Sequence, residues 1–172
     1  MSRILLNIVM TKASESQKKI DKVASNMDKY IDKALGKEAQ LLRRIIVVGI
    51  RKQAPGGKPF KPLAPSTIAA KGSTKALINH GDLIRSINVK KISSGIYFVG
   101  THKMTKSKAG KSIVNIAEVM EFGTKDKRIP ARPYLIPSFD EWKKGSQKRV
   151  LDSIVKQSGL DKKITSFTGK VL

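Results

Sequence analysis

No cysteine occurs among the 172 residues of this chain, and histidine occurs only twice. Disulfide frameworks and thiolate metal sites are excluded, and two histidines leave little to hold a zinc or iron centre. Acidic residues are also scarce, with 13 Asp and Glu set against 35 Lys and Arg for a net charge of +22. That excess goes far beyond what solubility requires and points to an anionic partner such as nucleic acid. Aromatic residues make up 5% of the chain. The lysines of 103–111 have no aromatic among them and those of 58–75 have only Phe60, so bases of a single strand would have nothing to stack on. Long hydrophobic runs are missing as well: MSRILLNIVM is apolar for only about seven residues and lacks a small-residue cleavage site, and no later stretch approaches a membrane span. The expected product has no membrane association and is cytosolic when made.

The length suits one domain with a real core and appendages. We expect a single domain over 1–156, with exposed basic loops at 54–82 and 101–115, and a C-terminal arm over 157–172. Residues 4–9 are apolar and rich in β-branched side chains, and they precede polar TKASESQ, which predicts a short buried strand leading to a helix capped at Ser14 or Ser16. From Ile20 through Met27, Ile31, Leu35, Leu42 and Ile46 the apolar residues recur every three or four positions, predicting a helix that runs to about Gln53. At nearly 40 residues it would measure roughly 55 Å. Gly36 and Gly49 interrupt this stripe, and Gly36 marks the place for a kink or a division into two helices.

Ala54-Pro55-Gly56-Gly57 stops the helix and opens a long loop, within which Ser66 or Thr67 would cap a short helix over IAAK. His80-Gly81-Asp82-Leu83 reads as a turn feeding a strand. INVKKIS and GIYFVGT then form a β-hairpin over 86–101, with Ile87 and Val89, joined by Ile92, on one side. THKMTKSKAGKS is a flexible positive loop. IVNIAEVMEF has helical spacing and stops at Gly123, and Ile129-Pro-Ala-Arg-Pro is extended because proline excludes the preceding residue from the helical region. A last helix over Ser138–Gln157 would bury Phe139, Trp142, Val150, Leu151 and Ile154. The fold class is therefore α+β: a long N-terminal helix and a C-terminal helix packed on a small antiparallel sheet, with long exposed loops. Charge concentrates in the middle of the chain, where residues 54–115 carry 11 basic groups and one acidic group. An anion is drawn there most strongly, and Lys103, Lys106, Lys108 and Lys111 are the candidate contacts with a DNA backbone.

Catalytic constellations are thin. Glu118 and Glu121, three apart on one helix, could join Asp126 in a metal-dependent nuclease, although phosphodiester cleavage calls for three or more acidic ligands held close together. Neither His80 nor His102 has a nucleophile in a triad setting, and Gly56-Gly57-Lys58 lacks the spacing of a phosphate loop. No helix-turn-helix or zinc-finger pattern is present, which leaves sequence-independent phosphate contact. No cofactor, metal or catalytic residue is expected.

Taken in order, GKPFKPLAPSTIAAKG, KALINHGDLIRSI, YFVGT, IAEVMEFGT and IPARPYL resemble the virion-morphogenesis or tail-completion family of tailed bacteriophages, which includes neck and minor-tail proteins. The resemblance covers 55–142, about half of the chain. Lys58, Phe60, Leu63 and Thr67 match the first block, and Gly81, Leu83, Ser86 and Ile87 the second. Glu121, Phe122 and Gly123, then Pro130, Ala131, Arg132 and Pro133, match the last two. Two departures stand out: Ile116-Ala117 replaces the family's usual Tyr-Ala, and a 12-residue lysine-rich insertion precedes it. The resemblance implies a small α+β subunit without enzymatic activity, assembled as a ring of six or else twelve copies. It also implies neighbours among connector, tail-terminator or tail-tube proteins, and a place in the virion at the head–tail junction where double-stranded DNA passes. The rival from another class is a free, sequence-independent DNA-binding protein, a nucleoid or packaging factor, which explains the charge and leaves the ordered blocks unexplained. Within the closing motif the prolines should hold a rigid segment and Arg132 should fork onto Glu121. Tyr134 and Leu135 should then enter the core beside Phe122, as a subunit interface or as part of the domain's own core.

Overall fold

Helical periodicity governs most of the chain. The computed structural model describes residues 2–101, 106, 107 and 110–159, with side chains from residue 14 onward. Seven helices and one hairpin follow in order: α1 Ser2–Ser25, α2 Met27–Lys52, α3 Pro65–Lys71, α4 Asp82–Ser86, β1 Ile87–Ser93, β2 Ile96–Thr101, α5 Ile113–Phe122, α6 Leu135–Lys143 and α7 Ser146–Ser158. The architecture is α+β. β1 and β2 pair antiparallel, Ile87 opposite Thr101 and Val89 opposite Val99.

Residues 4–9 are helical within α1, not a strand. A short apolar run is ambiguous between the two periods, and here it is continuous with the helix that runs on to Ser25. The division between the first two helices lies at Asn26 instead of Gly36. The Asn26 amide donates to the Lys22 carbonyl at 2.9 Å, and such local bonding competes with the helix ladder. Gly36 sits within α2 for another reason: a Cβ there would stand 3.0 Å from the Tyr97 hydroxyl. Its bare backbone lets the hairpin lie against the helix.

Helix α2 is the element on which the rest assembles, packing against both strands, α6 and α7. The core joins Ile46 and Ile50 of α2 to Leu83, Ile87, Ile113, Ala117 and Tyr134. Ile92, expected on the side of Ile87 and Val89, is 60% exposed: it stands at odd spacing from both, where alternation points it to the other face, and at the bulge between Lys91 and Ser93. Helix α3 starts at Pro65 with no side-chain cap, and Gly81 feeds the short helix α4 before the strand begins. The expected last helix is two, broken at Lys144-Gly145, so Phe139 (46% exposed) and Leu151 (62%) stand in solvent and not on a buried side.

Three polar tethers fix distant segments to α2. Asp32 accepts from the Gly95 N–H at 2.9 Å and from Lys91 Nζ at 2.6 Å, and the Tyr97 hydroxyl lies 3.2 Å away. Buried Glu38 accepts from Trp142 Nε1 at 2.9 Å and from the Arg149 guanidinium at 2.8–3.1 Å, tying α6 and α7 to the helix. Gln53, in the left-handed conformation that ends α2, accepts from the Ala76 N–H at 2.5 Å and donates to the Ala76 carbonyl at 3.0 Å. The side chain thus acts as a one-residue strand for the far end of the 54–82 loop.

Two outcomes follow. Gln53→Ala orphans both backbone groups of Ala76, a residue only 2% exposed, and should cost on the order of 2–3 kcal/mol in urea unfolding. The Gly95 N–H first, then Lys91, hold the Asp32 carboxyl below its ordinary value of 3.8. A depressed carboxylate stabilises above its unfolded pKa and loses that contribution as pH falls through the lower folded value. Acid unfolding of wild type and Asp32→Asn should therefore differ in the neutral range and converge in strong acid.

Candidate functional site

Helix α5 turns one stripe inward at four-residue spacing, formed by Ile113, Ala117 and Glu121. The third member is a carboxylate only 4% exposed. Its Oε2 accepts from the Tyr134 N–H at 2.8 Å and the Leu135 N–H at 2.9 Å, and its Oε1 from the Ile136 N–H at 3.0 Å. These are donors that the start of α6 cannot use internally, and α6 has no capping side chain of its own. The next residue, Pro137, has no N–H to satisfy. A full negative charge at this end also meets the positive pole of the α6 dipole. Burial first, and the nearby Glu121 charge second, push the Tyr134 hydroxyl well above the usual tyrosine range.

Arg132 does not reach Glu121, whose oxygens are already occupied by α6. It turns instead to the 54–82 loop, donating from Nε to the Lys61 carbonyl at 2.9 Å and from a terminal nitrogen to the Pro62 carbonyl at 2.8 Å. A planar guanidinium with several fixed donors suits two adjacent carbonyls. Its own N–H donates to the Met120 carbonyl at 2.7 Å, laying the Pro130–Pro133 segment along the end of α5. Gly123 makes that approach possible: its φ is +79°, and a Cβ would lie 2.9 Å from the Ala131 nitrogen and the Ile129 oxygen. Thr124 closes the loop on Ile129 through its N–H and its hydroxyl, each at 3.0 Å. Ala131 is half-buried and Pro130 and Pro133 are exposed. Phe122, expected in the core, is 69% exposed, because the inward stripe falls on its neighbour Glu121. The structure therefore brings together Glu121, Gly123, Arg132 and Tyr134 and leaves Phe122 outside.

The basic loop is only partly visible. Lys106 bridges to Ser112, and a tight turn joins the Ser107 N–H to the Lys111 carbonyl at 2.8 Å, with Lys106 and Lys111 exposed. Lys103 and Lys108, like residues 160–172 of the expected arm, lie outside the described residues. The carboxylates of the nuclease reading are not assembled: Glu121 is taken by α6, Glu118 is exposed, and Asp126 pairs with Arg128 at 3.2 Å. No group of three or more metal-ligating side chains occurs among the described residues.

Sequence reasoning missed Glu38 and Gln53. Glu38 was detectable in principle, because it falls on the inward stripe between Ala34 and Leu42, where a lone carboxylate signals a distant basic partner. Gln53 carried no such signal. Glu121→Ala strands three N–H groups and should cost about 3–5 kcal/mol, and Glu121→Gln should cost less because one carbonyl oxygen still accepts. Ser138 supplies the control: its buried hydroxyl has no partner among the described residues. Ser138→Ala should be neutral or stabilising by about 1 kcal/mol in the same unfolding assay.

A family model for the phage virion morphogenesis family matches residues 11–158. Comparison with curated proteins found no match. Comparison with solved structures likewise found none. The matched span takes in the blocks around Phe60, Leu83, Glu121 and Arg132, which the fold gathers around one core. The chain belongs to the phage virion morphogenesis family.

Proposed function

We propose that this chain is a neck or tail-completion subunit that closes as a ring at the head–tail junction, with double-stranded DNA passing through its lumen. Its role is structural and needs no catalysis or cofactor. The subunit would be made in the host cytoplasm, in six copies or else twelve, and stacked against connector, tail-terminator or tail-tube proteins. The observation that carries this reading is where the acidic groups go. Asp32, Glu38, Asp82 and Asp126 hold ion pairs within the chain and Glu121 is spent on backbone N–H groups. At least five of the 13 carboxylates are engaged internally, and at a net charge of +22 much of the cationic excess has to find its counter-charge outside the molecule.

A virion's polyanion is its genome. Dispersed lysines neutralise phosphates without reading sequence, so DNA can slide and is not gripped in one register. The segment held by Glu121 and Arg132 is rigid before assembly, which lowers the ordering cost of any interface it joins. A free DNA-binding monomer would share the charge but would leave the ordered family blocks unexplained.

Light scattering and negative-stain images of nuclease-treated protein, at moderate and high salt, test the assignment. Rings of six or twelve that survive high salt are expected. A monomer that associates only on addition of DNA and releases it as salt rises would transfer the assignment to the DNA-binding rival. Lys106→Glu with Lys111→Glu should leave the ring mass unchanged and flatten the slope of log affinity for DNA against log salt by about two.

A further inference from the structure

One cavity lies beside the contacts described above. It is a groove of about 690 Å³ between α3, the Leu77–Asn79 segment, α5 and the Ile129–Arg132 strap, within the size range that accommodates several apolar groups. Leu63, Leu77, Ile78, Ile116 and Met120 form half-buried walls. Lys71, Arg128 and Arg132 are its charged members, and no carboxylate lines it. Arg132 is 5% exposed and meets only carbonyl oxygens, with no carboxylate within ion-pair distance among the described residues. Lys71 donates to the Lys75 carbonyl. Burial first, and the Arg132 charge second, lower the Lys71 pKa. The groove is thus an apolar slot whose positive end holds Lys71 and Arg132 without an ion pair among the described residues, Arg128 being paired with Asp126.

The exposed apolar patches of the same chain differ in charge. On the hairpin, Ile92, Ile96 and Phe98 are flanked by Lys90 and Lys91, and on α1, Ile20 stands beside Lys18, Lys19 and Lys22. The groove's cations would repel both. Leu151 stands alone on α7. Helix α6 adds a carboxylate to its patch: Ile136 (54% exposed) and Phe139 (46%) lie three apart, and Asp140, four from Ile136, shares their face, with Lys143 at its C-terminal edge. Asp140 is exposed and has no ion pair among the described residues. Leu42 and Val99 extend the patch beneath them.

We propose that the α6 face of one copy, with Ile136, Phe139 and Asp140, docks in the Lys71–Arg132 groove of the next copy. The proposal rests on the ring reading and supplies its interface. The two surfaces share no lining residue, so each copy can offer one to the neighbour before it and the other to the neighbour after it, a head-to-tail contact of the kind that closes into a ring when the rotation allows. Aliphatic and aromatic anchors enter the apolar slot and the carboxylate meets the cations at its end, a charged pair desolvated at the centre of the contact.

Charge reversal tests it, with mass read by light scattering and fold by circular dichroism. Lys71→Glu and Asp140→Lys should each shift the wild-type ring to monomer, and the two together should restore ring mass. Thr67→Trp, at an exposed groove position on α3, should block the slot by bulk alone and gives the same readout if Lys71→Glu does not fold. Rings in all of these variants would overturn the interface and leave the ring reading intact. A monomeric wild type at every salt concentration would overturn both. Loss of the ring in both single variants without recovery in the double would overturn the pairing of these two surfaces.

Discussion

The carboxylate of Glu121 is the constraint on which the closing half of this fold depends. A buried negative charge without an ion pair would ordinarily be expelled or neutralised. Here it is held by three backbone dipoles that would otherwise be unsatisfied, so each party removes the other's desolvation cost. That single contact sets where α6 begins and delivers Tyr134 to the core. It also leaves Arg132 free to clamp the Lys61–Pro62 backbone, 70 and 71 residues earlier in the chain. The motif therefore joins three segments that share no sheet.

The small sheet makes such tethers necessary. A lone two-stranded hairpin is marginal in water, and β1–β2 is stable because α2 supports it through burial and through Asp32 at the turn. Glu38 and Gln53 perform the same task for the C-terminal helices and for the 54–82 loop. Because Lys and Arg outnumber Asp and Glu by 22, the surface stays strongly basic after these pairs are made.

Much of this was legible in the sequence. Long, strongly periodic stretches announced α2 and α5, and turn chemistry announced the hairpin and the stop at Gly123. Failures arose where local pattern was ambiguous or the partner was remote. Residues 4–9 suit a strand or a helix equally, and they form one helix with the residues that follow, to Ser25. Glycine at 36 looked like a helix breaker and is a contact surface for Tyr97. The pairing of Arg132 with Glu121 was chemically reasonable, but the chain offers the carboxylate three backbone donors, which no sequence pattern displays. Phe122 illustrates the sharpest limit, since a shift of one residue on a helix rotates a side chain by about 100° and exchanges core for solvent.

The bond between Glu38 and Arg149 spans 111 residues. At about 5–20 residues per second, the ribosome takes roughly 5–20 s to supply the arginine after the glutamate has been made. Throughout that interval the carboxylate has to remain hydrated, and the face of α2 that will receive α7 stays uncovered. Growing chains crowded on one messenger would expose that same incomplete face to one another. The packing of α7 on α2 therefore trails the synthesis of Glu38 by at least that interval.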